Sequence, residues 1–199
     1  MTDELGAWSP LSLPEVAGLF RGLRAPWWIA GGWAIDLFVG RPTRPHHDVD
    51  VQILRDDQRA IRAALAGWDL HAADPPGALR PWLPGETLPA HVHDIWCRPT
   101  PAAPWALQLQ VADTVGDRWV FRRDRRISRP LATLTCRSPE GWPYMAPEIQ
   151  LLFKARATPR SEDEHDFAVA RPRLGADARA WLAAALATCN PRHPWLRRL

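Results

Sequence analysis

The segment from Trp27 to Leu54 constrains the fold more than any other part of this 199-residue chain. An apolar run, WWIA, stops at a double glycine, as a buried strand does where it enters a tight turn. Apolar residues then recur at helical spacing up to Gly40, which predicts a helix of about two turns with a glycine stop. We expect backbone N–H groups at Gly31 and Gly32 to be open to an anion, so a strand, a turn and a helix predict a phosphate site.

The same segment ends in DVDVQIL, where β-branched and polar residues alternate and predict a strand from Asp48 to Leu54. Residues two apart on a strand share a face, so the carboxylates of Asp48 and Asp50 should project side by side, with Cα atoms roughly 6.5 to 7 Å apart. Such carboxylates repel unless a cation lies between them. Mg²⁺ suits this arrangement because one or two carboxylates plus substrate phosphates commonly hold it.

Each feature alone also has a structural explanation, a turn for the glycines and an exposed strand end for the aspartates. Their combination, GGWAID followed by G-R-x-T-R-x-H-x-D-V-D, resembles the signature of antibiotic nucleotidyltransferases, closest to the aminoglycoside 2″-adenylyltransferases and lincosamide enzymes. The resemblance implies that the glycine turn binds a nucleoside triphosphate, with ATP as the expected co-substrate, and that Asp48 and Asp50 bind Mg²⁺. The residues that carry it are Gly31, Gly32, Trp33, Ala34, Ile35, Asp36, Gly40, Arg41, Thr43, Arg44, His46, Asp48 and Asp50.

Composition is that of a globular protein, with 46 % apolar and 24 % charged residues, and the length allows one domain or one domain with a small appendage. The net charge of +3 suits phosphate ligands without demanding nucleic acid. An arginine cluster is open to two interpretations, a nucleic-acid stripe or a solvated hairpin arm. Its members are Arg122, Arg123, Arg125 and Arg126.

Cysteine usage predicts a reducing environment, because Cys97, Cys136 and Cys189 are odd in number and far apart. The first residues, MTDELGAW, lack the apolar run of a signal peptide, and no stretch approaches the length of a membrane span. We therefore expect a cytoplasmic protein.

The amino-terminal two thirds predict an α/β domain with a mixed sheet flanked by helices. A capping box at Ser12 should open a helix that runs to about Leu23, and a helix capped by Asp56 or Asp57 should end at Gly67. Further strands are expected at 68–72, 91–98, 105–111 and 118–121, and the proline-rich stretch 74–89 is expected to be loop.

The resemblance implies a third acidic residue on a strand beside the aspartate pair, as a metal ligand or as the base that activates the acceptor hydroxyl. Gln108 stands at the matching position, and it can neither accept a proton from an alcohol nor offer a charged ligand to Mg²⁺. Asp94 is the preferred substitute and Asp113 the other candidate. The alternative role for Asp94 is that of an ion-pair partner of His91, His93 or a neighbouring arginine.

The carboxy-terminal third predicts three helices, at 147–155, at 161–170 with Ser161 as its cap, and at 177–187, after a linker at 138–145. The predicted domains are therefore a nucleotidyltransferase α/β domain over 1–137 and a helical region over 138–199. The pattern P-E-x-x-x-L-x-K-A followed by R-x-x-D-x-x-D-F resembles the helical region of small nucleotidyltransferases, which implies that Lys154 reaches the nucleotide phosphates. Arg160 and Asp163 match less closely, Glu162 stands where a lysine is implied, and Lys154 could also be an exposed helix residue.

The predicted function is Mg²⁺-dependent transfer of a nucleoside monophosphate, expected to be AMP, to a hydroxyl of a small acceptor such as an antibiotic. The catalytic residues would be Asp48, Asp50 and Asp94, with Gly31, Gly32, Arg44 and Lys154 binding the nucleotide. Two alternatives remain, a non-catalytic nucleotide-binding protein of the same fold and a nucleic-acid-binding module.

Overall fold

The computed structural model describes residues 5–199, and these form six α-helices and ten β-strands. They divide into two compact units, one of the described residues up to Ile29 with His46–Ala112, the other of Ala30–Pro45 with Asp113–Leu199. The predicted boundary between residues 137 and 138 stays a prediction. The elements are α1 (Leu13–Leu19), β1 (Trp27–Ile29), α2 (Gly31–Val39), β2 (Asp50–Leu54), α3 (Gln58–Ala64), β3 (Asp69–Ala73), β4 (Leu79–Pro81), β5 (Asp94–Arg98), β6 (Leu107–Val115), β7 (Arg118–Val120), β8 (Ser128–Pro130), β9 (Thr135–Arg137), β10 (Pro143–Met145), α4 (Pro147–Lys154), α5 (Ser161–Ala170) and α6 (Ala176–Cys189).

The first unit is built on a sheet with the strand order β4-β3-β5-β6-β2-β1. Strands β2 and β6 run parallel and the other neighbours antiparallel, so the predicted mixed α/β sheet is confirmed. One face of the sheet supplies the core, where alternate residues of four strands are fully or almost fully buried: Val51, Ile53, Leu70, Ala72, Ile95, Cys97, Leu107 and Leu109. The opposite face carries the polar side chains of the same strands, including Asp50, Asp94 and Gln108.

The capping box predicted at the start of α1 is present. The side chain of Glu15 accepts hydrogen bonds from the backbone N–H of Ser12 at 2.8 Å and from the Ser12 hydroxyl at 2.7 Å. The helix ends at Leu19 rather than near Leu23, since a turn with Gly22 at a positive φ of 79° follows it.

The second unit contains α2, α4, α5 and α6 together with two β-hairpins, β7–β8 and β9–β10. Helix α2 begins at Gly31 with φ at 66° and stops at Gly40 with φ at 82°, both left-handed values that favour glycine. The predicted two-turn helix with a glycine stop is thus confirmed. The expected helices at 147–155 and 177–187 are confirmed as α4 and α6.

Several local predictions are wrong. The stretch 74–89 is not only loop, because Leu79–Pro81 pairs with β3 along the edge of the sheet, and 138–145 is not a linker, because Pro143–Met145 pairs with β9. The cap of α5 is Arg160 rather than Ser161, and the Arg160 backbone N–H donates to Asp163 Oδ2 at 3.2 Å. In the described part of the chain no helix is long and apolar enough to cross a membrane.

Candidate active site

The aspartate pair lies at the start of β2. The strand begins at Asp50, two residues later than predicted, so Asp48 precedes it. Val49, between them, is fully buried, and its carbonyl accepts a hydrogen bond from the Gln108 backbone N–H at 2.9 Å. Asp48 is exposed and Asp50 half-buried, and this alternation agrees with both carboxylates on the side of the chain away from the core.

Three adjacent strands bring a polar row together on one face. Asp50 of β2 is in register with Gln108 of β6, and Asp94 of β5 is in register with Gln110 of β6. The amide of Gln108 donates to Asp94 Oδ1 at 3.1 Å, which places Asp94 diagonally across from Asp50 with Gln108 between the two. Gln108 therefore lies between the predicted base and Asp50 in the strand register. The catalytic role of Asp94 stays a prediction.

A metal site here would use few protein ligands. Among residues 5–199 no group of three or more histidine, cysteine, aspartate or glutamate side chains has the arrangement of a metal cage. Mg²⁺ does not need such a cage, since it keeps several waters and takes one or two carboxylates together with substrate phosphates. Asp48, which is exposed, and Asp50, which is half-buried, supply two carboxylates of the kind that this coordination uses.

The glycine turn is occupied by a side chain of its own unit. The Gly31 backbone N–H donates to Gln150 Oε1 of α4 at 2.9 Å, and both residues are buried. The expectation of an open N–H at Gly31 is therefore wrong for this structure. Gly32 lies half-buried in the first turn of α2. The binding of phosphate by either glycine stays a prediction.

The turn after α2 is fixed by two carboxylates. Asp36, which is 3 % exposed, accepts hydrogen bonds at Oδ1 from the Thr43 backbone N–H at 3.1 Å and from the Thr43 hydroxyl at 2.6 Å. Arg44 forms a two-pronged ion pair with Asp166 of α5, in which Nε and Nη2 each lie 2.9 Å from a carboxylate oxygen. The hydrogen bond with Asp166 raises the pKa of Arg44.

Lys154, at the end of α4, is 6 % exposed, so the alternative of an exposed helix lysine is wrong. Its Nζ lies 2.6 Å from Asp166 Oδ2 and 3.8 Å from Asp163 Oδ1. Burial by itself would raise the pKa of Asp166, but the hydrogen bond from Arg44 and the charge of Lys154 outweigh burial, and the pKa falls below its ordinary range. Sequence reasoning missed Asp166, although it is the second aspartate of the R-x-x-D-x-x-D pattern.

An aromatic group continues the polar row along the first sheet. Gln108 is in register with Trp96 of β5, which is in register with His71 of β3. The half-buried Trp96 ring packs edge-on against Trp8 at 4.9 Å and Trp105 at 5.6 Å between ring centroids. We call Trp8, Trp96 and Trp105 the tryptophan cluster.

Charges beside the tryptophan cluster compensate each other. The carboxylate of Asp69 lies 2.7 Å from Arg98 Nε and 3.0 Å from His71 Nε2. The Arg98 guanidinium also stacks over Trp105 at 4.2 Å. This end of the face therefore offers aromatic surface rather than free negative charge.

The arginine cluster occupies the turn of the β7–β8 hairpin. Arg123 Nη1 donates to the carbonyl of Phe153 at 2.8 Å, and Arg126 Nη2 donates to the carbonyl of Thr188 at 2.8 Å. Burial, aided by the charge of Arg122, lowers the pKa of Arg123. Two of the four arginines thus bind carbonyls at the ends of α4 and α6, which favours the hairpin interpretation over a nucleic-acid stripe.

The fold and the sheet-borne carboxylates define a nucleotidyltransferase-like protein, and comparisons with known proteins give the same class. A profile of the aminoglycoside-2″-adenylyltransferase family matches residues 12–75, which hold the glycine turn and the aspartate pair. The resemblance stated from the sequence is confirmed, and the matched family consists of antibiotic adenylyltransferases. A search of curated proteins finds no match.

Solved structures with a similar fold include two antibiotic adenylyltransferases. The lincosamide enzyme LnuA, solved with lincomycin, is 14 % identical with a TM-score of 0.55, covering 82 % of this chain and 98 % of that chain. The solution structure of the antibiotic-resistance factor ANT(2″)-Ia has a TM-score of 0.58. Its sequence is 16 % identical, and the match covers 94 % of this chain and 93 % of that chain. The crystal structure of ANT(2″)-Ia with adenylyl-2″-tobramycin has a TM-score of 0.57. The sequence identity is 17 %, and the match covers 88 % of this chain and 95 % of that chain. At these identities the likeness establishes the nucleotidyltransferase fold.

Proposed function

We propose that the protein is an Mg²⁺-dependent nucleotidyltransferase that transfers AMP from ATP to a hydroxyl group of a small acceptor, in the cytoplasm. The observation that carries the proposal is the polar row of Asp50, Gln108 and Asp94 on adjacent strands, next to Asp48. It lies in and beside the region that matches the adenylyltransferase family.

Asp48 and Asp50 would hold Mg²⁺, which supplies charge stabilisation at the phosphates and orients the α-phosphorus when bound. Asp94 accepts the proton of the acceptor hydroxyl as its oxygen attacks the α-phosphorus. The bond between the α-phosphorus and the bridging oxygen breaks, and pyrophosphate leaves. Gln108 holds the Asp94 carboxylate by the amide hydrogen bond of 3.1 Å, which supports this orientation.

Phosphate binding is proposed for four residues of the second unit. Gly31 and Gly32 open α2, whose N-terminus carries partial positive charge, and Arg44 and Lys154 supply formal charge. Binding there requires a phosphate oxygen to replace Gln150 Oε1 at the Gly31 N–H.

The acceptor is proposed to lie over the sheet beside Asp94, with a ring against Trp96. On strands β2, β3 and β5 the acidic side chains are Asp50, Asp94 and Asp69, and Asp69 is already paired with Arg98 and His71. A polycationic aminoglycoside needs several carboxylates, whereas a ring compound of low charge can stack on tryptophan. The surface therefore favours an acceptor like the lincomycin bound to LnuA over one like tobramycin.

Turnover tests the proposal directly. Purified protein is incubated with α-labelled ATP, Mg²⁺ and either lincomycin or tobramycin, and pyrophosphate release and acceptor labelling are measured. We expect labelling of lincomycin, with KM raised about 10-fold by Trp96→Ala through loss of stacking worth roughly 1.4 kcal/mol. Exclusive labelling of tobramycin would overturn the acceptor assignment.

A non-catalytic nucleotide-binding protein is the second candidate, favoured by the neutral Gln108 at the position of the implied third carboxylate. Binding of ATP with no pyrophosphate release for any hydroxylated acceptor would establish it. Measuring ATP binding and pyrophosphate release on the same preparation separates the two candidates.

A further inference from the structure

One buried carboxylate, Asp166, holds both cations that are assigned to the phosphates. Arg44 reaches it from the turn after α2, and Lys154 from the end of α4, with three N–O distances of 2.9, 2.9 and 2.6 Å. The Asp166 side chain is 0 % exposed, so its charge is balanced by these two groups rather than by water. The three residues form one unit, which we call the Asp166 clamp.

The clamp leaves Arg44 able to bind an anion. A guanidinium has five N–H donors, and Arg44 uses Nε and Nη2 for Asp166 and Nη1 for the Pro45 carbonyl at 3.1 Å. One N–H therefore remains on each terminal nitrogen, in a plane that the two-pronged ion pair fixes. The side chain is 18 % exposed, so part of Arg44 reaches the surface of the unit, unlike Asp166.

Lys154 is differently placed. Its side chain is 8 % exposed and its ammonium group points to Asp166 and Asp163, both of which are fully buried. It adds a second positive charge beside the Asp166 carboxylate, on the inner side of the ion pair with Arg44. Its position suits a counter-charge inside the unit better than a direct ligand of phosphate.

We propose that Asp166 is a positioning residue of the nucleotide site, which orients Arg44 toward the phosphates, while Lys154 acts through Asp166 as its counter-charge. This inference rests on the proposed nucleotide function and gives Arg44 and Lys154 different roles in it. Asp163, one turn earlier on α5, provides the comparison. It lies 3.3 Å from Arg160, 3.7 Å from Arg156 and 3.8 Å from Lys154, but it does not bind Arg44.

The sign of the effect separates positioning from simple electrostatics. Removing a negative charge near a phosphate site should tighten anion binding if charge alone matters. Removing the group that fixes Arg44 should weaken binding, because the guanidinium then loses its preset geometry.

The test is calorimetric titration of the full chain with Mg²⁺ and ATP. We expect Asp166→Asn and Arg44→Lys each to raise the Kd for ATP about 10-fold, and the double variant to be no weaker than the weaker single variant, because both changes remove one shared arrangement. Asp163→Asn is the matched control and should leave the Kd within about twofold, although it also removes a buried charge. The acceptor KM should not change in any of these variants.

Unchanged or tighter ATP binding by Asp166→Asn overturns the inference, as does a double variant whose loss is the product of the two single losses. A larger loss of ATP affinity in Lys154→Met than in Asp166→Asn would show direct contact of Lys154 with phosphate and also overturn it. If Asp166→Asn does not fold, Asp166→Glu replaces it, since glutamate keeps the charge and displaces the carboxylate. Failure of the wild-type protein to bind ATP would instead reject the proposed nucleotide function.

Discussion

The two groups of aspartates in this chain differ in how they meet solvent. Asp48 is exposed and Asp50 half-buried at the start of a strand, whereas Asp163 and Asp166 are fully buried on a helix beside arginine and lysine. Carboxylates open to water can exchange it for a metal or a substrate, while buried carboxylates must be paired permanently. The contrast separates acids suited to ligand binding from acids that hold the second unit together.

The largest effect should come from Asp50→Asn, which keeps the volume of the side chain and removes its charge. If the carboxylate binds Mg²⁺ as proposed, kcat should fall by about 10³-fold, equivalent to roughly 4 kcal/mol of transition-state stabilisation. Steady-state pyrophosphate release measures it. Asp56→Asn, an equal change just after β2, is the control and should stay within about twofold; equal losses in both variants would show that Asp50 has no special role.

Asp166→Asn should have a large effect on the free energy of unfolding, whereas the main effect of Asp50→Asn is expected on turnover. Substituting Asp166 removes the buried carboxylate that Arg44 and Lys154 share, and breaking such a pair costs about 3 to 5 kcal/mol in the free energy of unfolding. Urea unfolding followed by circular dichroism measures the loss. Asp50→Asn should change the same free energy by less than about 1 kcal/mol, and a larger loss there would erase the proposed distinction.

The contribution of Asp166 to the free energy of unfolding should depend on pH. The pKa of Asp166 is lowered in the folded protein, so its contribution is complete above the unfolded value of about 3.9 and is lost as pH falls through the folded value. The difference in unfolding free energy between the wild type and Asp166→Asn should therefore be constant from about pH 5 to 7 and shrink below about pH 4. A difference that grows on acidification would contradict the assignment.

The smallest effect is expected for Asp69→Asn. Its carboxylate also pairs with an arginine and a histidine, but the side chain is 20 % exposed, and Arg98 keeps its stacking on Trp105. We expect a loss of about 1 kcal/mol or less in the unfolding free energy. Urea unfolding beside Asp166→Asn measures it, and equal losses would mean that burial does not set the difference.

Local chemistry made part of this structure predictable. The glycine stop of α2, the capping box of α1 and the proline start of α4 depend on residues within a few positions of each other, and each is present. The alternation in DVDVQIL likewise predicted β2, although Asp48 lies outside the strand. Strand β10 was missed because it follows Pro139 and Gly141 and itself begins with a proline, and these residues locally indicate a loop.

The long-range contacts made by Gly31 and Arg44 could not be predicted from local sequence. Gln150 meets Gly31 across 119 residues of sequence, and Asp166 meets Arg44 across 122. Nothing in the periodicity of either segment specifies its partner, since such pairs arise from how α2, α4 and α5 pack. The sequence predicted Arg44 and Lys154 as cations of a phosphate site, which stays a prediction. It did not predict that one internal carboxylate, Asp166, already binds both of them.

The hydrogen bond between Gly31 and Gln150 has a thermodynamic consequence for any anion that uses this turn. The N–H already has an acceptor, so a phosphate oxygen exchanges one hydrogen bond for another rather than gaining one. The displaced amide must also find a new partner, because Gln150 is only 5 % exposed. Occupancy of this turn is therefore a competition between an internal acceptor and an external one. A charged ligand would have the advantage of the stronger hydrogen bond that an ionised oxygen accepts.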